Sequence, residues 1–191
     1  MKTKSFVKAT IIKVFSSFII VAFFSSCGKK EHKNESAFKT ETLTRNKQQN
    51  DKEQIEASFF IATANVSNTI ISKSQIAQKR SENLLELSKK IENQQNQLLQ
   101  NVSEMANKKL IMITDINAIH KRDLYELVDS NDSVFSKTYL NSIAESLSEQ
   151  IKLLEKISTE TNDEKILKLV LEFLPEQYEL LRETEKTKTE Y

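Results

Sequence analysis

The stretch DSVFSKTYLNSIAESLSEQIKLLEKISTETNDEKILKLVLEFLPEQYELL, residues 132–181, decides the fold. Its apolar residues Phe135, Tyr139, Leu140, Ile143, Leu147, Ile151 and Leu154 recur at steps of three and four, which is one face of a helix running to about Ser158. The pattern stops at Thr161-Asn162-Asp163-Glu164, which reads as a capping box opening the next helix. That helix carries Ile166, Leu169, Val170, Phe173, Leu174, Tyr178 and Leu181, with Leu180 beside the stripe. Pro175 removes one backbone donor and predicts a kink rather than an end, because the apolar pattern continues past it.

The same reading extends upstream. A first helix is expected from near Asp51, where Asp51 and Gln54 could cap it, on the stripe Ile55, Phe59, Ala62, Val66, Ile70 and Ala77. Ser81-Glu82-Asn83 marks a turn. The second helix shows Leu84, Leu87, Ile91, Leu98, Val102 and Met105, with Gln95 on the same stripe. Residues 107–114 contain LIMI, an apolar crossing, and residues 115–128 a short helix with Ile116, Ile119, Leu124 and Leu127 facing inward. Four long amphipathic helices can enclose one core, and a bundle is the economical packing. Short links predict antiparallel hairpins for helices one and two and for three and four, while the 107–132 link permits a crossover. The expected fold is all-α: a four-helix bundle over residues 51–188 with a short extra helix in the crossover between helices two and three, which is also the ferritin-like arrangement.

Composition agrees. The 191 residues include one Gly and one Pro, so hairpin turns and glycine-rich phosphate loops have no material. Lys and Arg number 28 against 27 Asp and Glu, a net charge of +1. That balance offers no basic footprint for nucleic acid. His32 and His120 both sit beside lysines and read as surface side chains, and the single Cys has no internal partner for a disulfide. No nucleophile with its base is visible, so the expectation is a chain that is not an enzyme and carries no catalytic residue.

The chain begins with a basic leader containing Lys2, Lys4, Lys8 and Lys13, followed by the apolar run VFSSFIIVAFF at 14–24. Such a run rises about 16 Å as helix, against a hydrocarbon core of about 30 Å. A charged leader, a short apolar core and the small residues Ser25-Ser26 make a secretory signal over 1–26. Phe24-Ser25-Ser26-Cys27 resembles the lipobox of bacterial lipoprotein signals, which implies lipidation of Cys27 and anchoring by its acyl chains. Gly28, rather than Asp, follows the cysteine, so outer-membrane delivery is the expectation. From 28 to 50 only Ala37, Phe38 and Leu43 are apolar, which predicts a disordered polar tether over 27–50.

From about Ser58 to Lys186 the chain resembles the bacterial ferritin-like domain of unknown function 4142, a family associated with the outer membrane. The resemblance rests on Phe59-Phe60 with Ala62 and Ala64, on Ile76-Ala77-Gln78-Lys79, and on Val102-Ser103-Glu104-Met105-Ala106. It continues through Phe135-Ser136-Lys137-Thr138-Tyr139-Leu140, residues 151–155 and Leu174-Pro175. The family pattern implies inward Glu and His side chains that look like a metal site. Its first-helix Glu falls on Ile70, with a second acidic position at Ser72; its second-helix Asp-His pair falls on Gln94-Gln95. Its later histidines fall on Leu147 and Leu180. Aliphatic side chains offer a metal no donor. The expectation is therefore no metal and no cofactor, with Ile70, Leu147 and Leu180 packed in the core. Gln95 is expected there too, satisfied by a neighbouring carbonyl or a hydroxyl such as that of Ser72.

Two functions follow as expectations. One is a non-enzymatic envelope lipoprotein that meets the membrane through lipid on Cys27 and binds an envelope protein partner, or serves a structural or stress-related role. The alternative is a metal-handling ferritin-like protein, on fold analogy.

Overall fold

The computed structural model describes residues 36–113 and 118–191, with side chains from Gln49 onward except at 114–120. The signal at 1–26, Cys27 and His32 lie outside them, as does the side chain of His120. The chain divides into two units, Met1–Thr44 and Arg45–Tyr191, and the packing below belongs to the second.

Among the described residues the chain is all-α, with five α-helices. They are α1 (Ser36–Arg80), α2 (Leu85–Lys108), α3 (Ala118–Asp129), α4 (Asp132–Glu160) and α5 (Glu164–Lys188). A 3-10 turn, Glu82–Leu84, joins α1 to α2. None of these helices is long and apolar enough to cross a membrane. Helix α1 begins at Ser36 rather than near Asp51, so helical backbone occupies much of the stretch expected to be a tether, and Asp51 caps nothing. The physical reason is local: between Ser36 and Asp51 no Gly or Pro interrupts the chain, and Lys39, Glu41, Leu43, Lys47, Gln48 and Gln49 favour helix. A side-chain bond from Gln49 to Glu53, one turn along, adds to it.

The start of α5 also differs from expectation. Asp163, not Thr161, is the N-cap; its carboxylate accepts from the Lys165 amide at 2.9 Å. Thr161 sits one step earlier and accepts from the Asp163 amide at 3.0 Å. Pro175 lies inside α5, which continues to Lys188.

Bonds between helices establish their directions. Lys73, Ser67 and Glu56, in descending order along α1, meet Ser146, Gln150 and Thr161, in ascending order along α4 and just past its end. These two helices are antiparallel. Gln95 meets Gln177 while Lys90 meets Glu179 and Glu183, so α2 and α5 are antiparallel as well. Gln75 and Gln78 reach Glu92 across the α1–α2 turn, and Tyr178 donates to Glu155 between α5 and α4.

Candidate functional site

The interior of the four long helices holds the positions at which the family pattern would place ligands. Ile70, Leu147 and Leu180 are fully buried in one apolar cluster with Ile91 and Ile143. Ser72 is only half-buried and donates to the Asn68 carbonyl of its own helix at 2.8 Å. It therefore does not serve Gln95. Gln95 donates its amide to the Gln177 side-chain carbonyl on α5 instead.

Gln177 is the residue that sequence reasoning missed. The expected α5 stripe ran through Tyr178, yet Tyr178 is exposed, whereas Gln177, Leu180 and Thr184 are buried. The signal was present in the spacing, since Phe173, Gln177, Leu180 and Thr184 continue the three-four step; polarity disguised it. On α1 the expected Ile55 is 36% exposed, while Phe59, Val66, Ile70 and Ala77 are buried, and the inward face also carries Thr63, Ser67, Thr69 and Ser74.

These polar residues have a pattern. The apolar interior falls into two clusters, one holding Ile70, Ile91, Leu147 and Leu180, the other Phe60, Leu98, Leu154 and Phe173. Between their members in sequence stand Gln95 on α2, Gln150 on α4 and Gln177 on α5, all fully buried. Ser67 donates to Gln150 at 3.4 Å. The Gln95 carbonyl and the Gln150 and Gln177 amide nitrogens find no partner among the described residues. The seam thus joins α1 to α4 and α2 to α5 by amide and hydroxyl bonds, with donor and acceptor capacity left over. Amides neither titrate nor bind divalent metals firmly in isolation, so the arrangement holds helices together rather than moving protons. Among the described residues no three His, Cys, Asp or Glu side chains converge in a way that could hold a metal ion.

Six residues beyond Ser67 on α1 lies a charge. Lys73 is 1% exposed and donates to the Ser146 hydroxyl at 2.9 Å and the Ser142 carbonyl at 3.3 Å. Asp123 of α3 stands 3.8 Å away. Burial pushes the Lys73 ammonium below its ordinary pKa, against the pull of Asp123, Glu145, Glu149 and Glu126. Ser146 spends its own proton on the Ser142 carbonyl at 3.1 Å, so Lys73 acts as donor to an occupied hydroxyl, not as a base withdrawing its proton. Burial also pushes the Tyr139 phenol up, with the Ser74 hydroxyl pulling the other way.

At the end of α1, Arg80 gathers the carbonyls of Leu127, Val128 and Ser130 and the Asp132 carboxylate, while lying 4.2 Å from the Phe135 ring centre. The carbonyls at the end of α3 are groups that a helix leaves unsatisfied, so a cation there closes α3 and docks it onto α1. Further back along α1, buried Glu56 accepts from Lys109 at 2.7 Å and from Thr161 at 2.8 Å. Lys109 also reaches Asp163 at 2.8 Å. Burial pulls the Lys109 pKa down, but its hydrogen bonds to Asp163 and Glu56 outweigh this and raise it. Asp163 is held low, chiefly by the bond from Lys109.

No curated protein and no solved structure matches the chain. The family described as "Domain of unknown function (DUF4142)" matches residues 41–186, which takes in α2 and α4, most of α1 and α5, the buried amides and Lys73. The chain belongs to the DUF4142 family.

Proposed function

We propose that this is a lipid-anchored envelope protein, acylated on Cys27 and delivered to the outer membrane, whose helical domain is a non-enzymatic scaffold that binds an envelope protein partner. The domain is read as a ferritin-like four-helix bundle. Supporting that reading, α1 runs antiparallel to α4, and α2 to α5. Together with two short turns, those directions match the order produced by a single long crossover. The envelope reading rests on the signal at 1–26 and on Phe24-Ser25-Ser26-Cys27.

One observation carries the non-enzymatic reading. Ile70, Leu147 and Leu180, where the family pattern would place ligands, are buried packing residues, and Gln95 is engaged with Gln177. An interior filled in this way leaves the outer surface to do the work. The test has two arms on the full chain. Cys27→Ser should abolish fatty-acid labelling and release the protein from the envelope fraction; unchanged labelling would overturn the anchoring. Purified protein should carry no stoichiometric iron, zinc or manganese. One metal per chain, lost on substituting Gln95 or Gln177, would turn the reading into metal handling.

A further inference from the structure

Leu110 is 94% exposed and Met112 82%, the two highest values among the large apolar side chains of the described residues. They stand on the turn that ends α2. The Ile111 amide bonds back to the Ala106 carbonyl at 2.9 Å and the Leu110 amide to the Asn107 carbonyl at 3.0 Å. This is the paired closure that normally places glycine at the left-handed position. Here Leu110 occupies it, at φ 60°, where a side chain's Cβ crowds the backbone. The turn therefore accepts strain and directs a leucine outward.

The base of the turn is fixed. Ile111 and Ile113 pack against the apolar cluster around Phe60 and Leu98, and Lys109 is bound to both Glu56 and Asp163. Alternate residues thus anchor the turn while Leu110 and Met112 project. Lys108, also exposed, makes no ion pair among the described residues. Two apolar side chains projecting from a rigid turn form a wedge. A protein partner would need a socket shaped to them; a bilayer deforms around them and accepts their surface wherever they enter.

We infer that the turn at Leu110–Met112 is a membrane-insertion tip, and that its partner is the lipid bilayer itself. The inference rests on the reading that the chain is held at a membrane, and it adds where the folded domain touches that surface. Lys108 beside the tip would meet lipid phosphates.

The chain contains no Trp, so a single introduced indole reports its own surroundings without background. Full chains bearing Leu110→Trp, Met112→Trp or Leu171→Trp would be reconstituted on phosphatidylethanolamine–phosphatidylglycerol vesicles. Leu171 is the control, an exposed leucine on α5 remote in sequence from the turn. The expected result is a blue shift at 110 and 112 and quenching by bromine-labelled acyl chains, with neither at 171. Replacing Leu110 and Met112 together by Ser in the Cys27→Ser chain should weaken vesicle binding about tenfold or more, the effect of losing two inserted apolar side chains. Fatty-acid labelling reports the anchor separately. Insertion at 110 and 112 without labelling would keep the tip and remove the lipid anchor. Labelling with all three indoles equally hydrated would overturn the tip, as would equal insertion at 171.

Discussion

The Lys73 ammonium on α1 donates to the Ser146 hydroxyl on α4 at 2.9 Å, with 1% of the lysine exposed. A charge is thereby held where neighbouring turns of the same helices meet through Ile70 and Leu147. Burying an ammonium is costly, and a well-packed apolar substitute of similar length often matches or exceeds a buried ion's stability. Lys73→Met should therefore leave the unfolding free energy within about 2 kcal/mol of the parent, while Lys73→Ala, which also empties the site, should cost about 2–4 kcal/mol. Urea unfolding of both variants would measure this, and equal losses would contradict it.

The same lysine gives a pH dependence with a definite sign. Its folded pKa lies below the ordinary 10.5, so between the two values the unfolded chain binds the extra proton. Stability then rises with pH through that window. Lys90 and Lys109, raised by their carboxylate partners, act oppositely and lose their contribution at higher pH. The parent-minus-Lys73→Met difference isolates Lys73. It should climb as pH approaches 10.5, and a flat difference would refute the assignment.

Gln95 and Gln177 form a buried pair whose members depend on each other. Gln95→Leu alone should cost about 1–3 kcal/mol, because it strands the Gln177 side chain away from water. Gln95→Leu with Gln177→Leu should recover much of that loss. A double-mutant cycle by thermal unfolding reads the coupling, and simple additivity would mean that the pair is not coupled.

Leu147 is fully buried, and Leu147→Ala should cost about 2–5 kcal/mol. Leu147→His restores the residue type of the family pattern but should also destabilise, since Ile70 and Leu180 offer the imidazole no partner. Added zinc should not rescue its melting temperature; a rescue would reveal donors within reach.

Arg80→Ala should release α3 before the rest of the domain. The loss should be about 1–3 kcal/mol, the scale of hydrogen bonds to a charged donor. Hydrogen exchange should show protection lost over 118–129 while α4 keeps its own. Arg80→Lys would recover only part, since one ammonium cannot span the carbonyls of Leu127, Val128 and Ser130 together.

Much of this was legible where apolar residues kept helical spacing. Phe135, Tyr139, Leu140, Ile143, Leu147, Ile151 and Leu154 are all buried as the stripe on α4 predicted, and α2 repeats this from Leu87 to Val102. What escaped was polar. Lys73 and Glu56 are buried because partners far along the chain, Ser146 and Thr161, receive them, and no local pattern reveals such a partner. On α5 the buried face beyond Pro175 takes Gln177 rather than Tyr178, although Tyr178 looks more like a core residue. In the turn after α2, LIMI promised an apolar crossing; instead the left-handed backbone at Leu110 sends alternate side chains into solvent.

The amide seam also guards against misalignment. Leucines and isoleucines on neighbouring helices accept one another at many offsets, so an all-aliphatic interior would tolerate α5 sliding by a turn. A slide of that size would carry Gln177 to the level now occupied by Phe173 or Leu180, among hydrocarbon, and part it from Gln95. Gln150 and Ser67 impose the same condition on α4 against α1. The buried amides thus work as a key cut for one setting: they add little to the strength of the closed lock, but every wrong insertion leaves a polar group unmet.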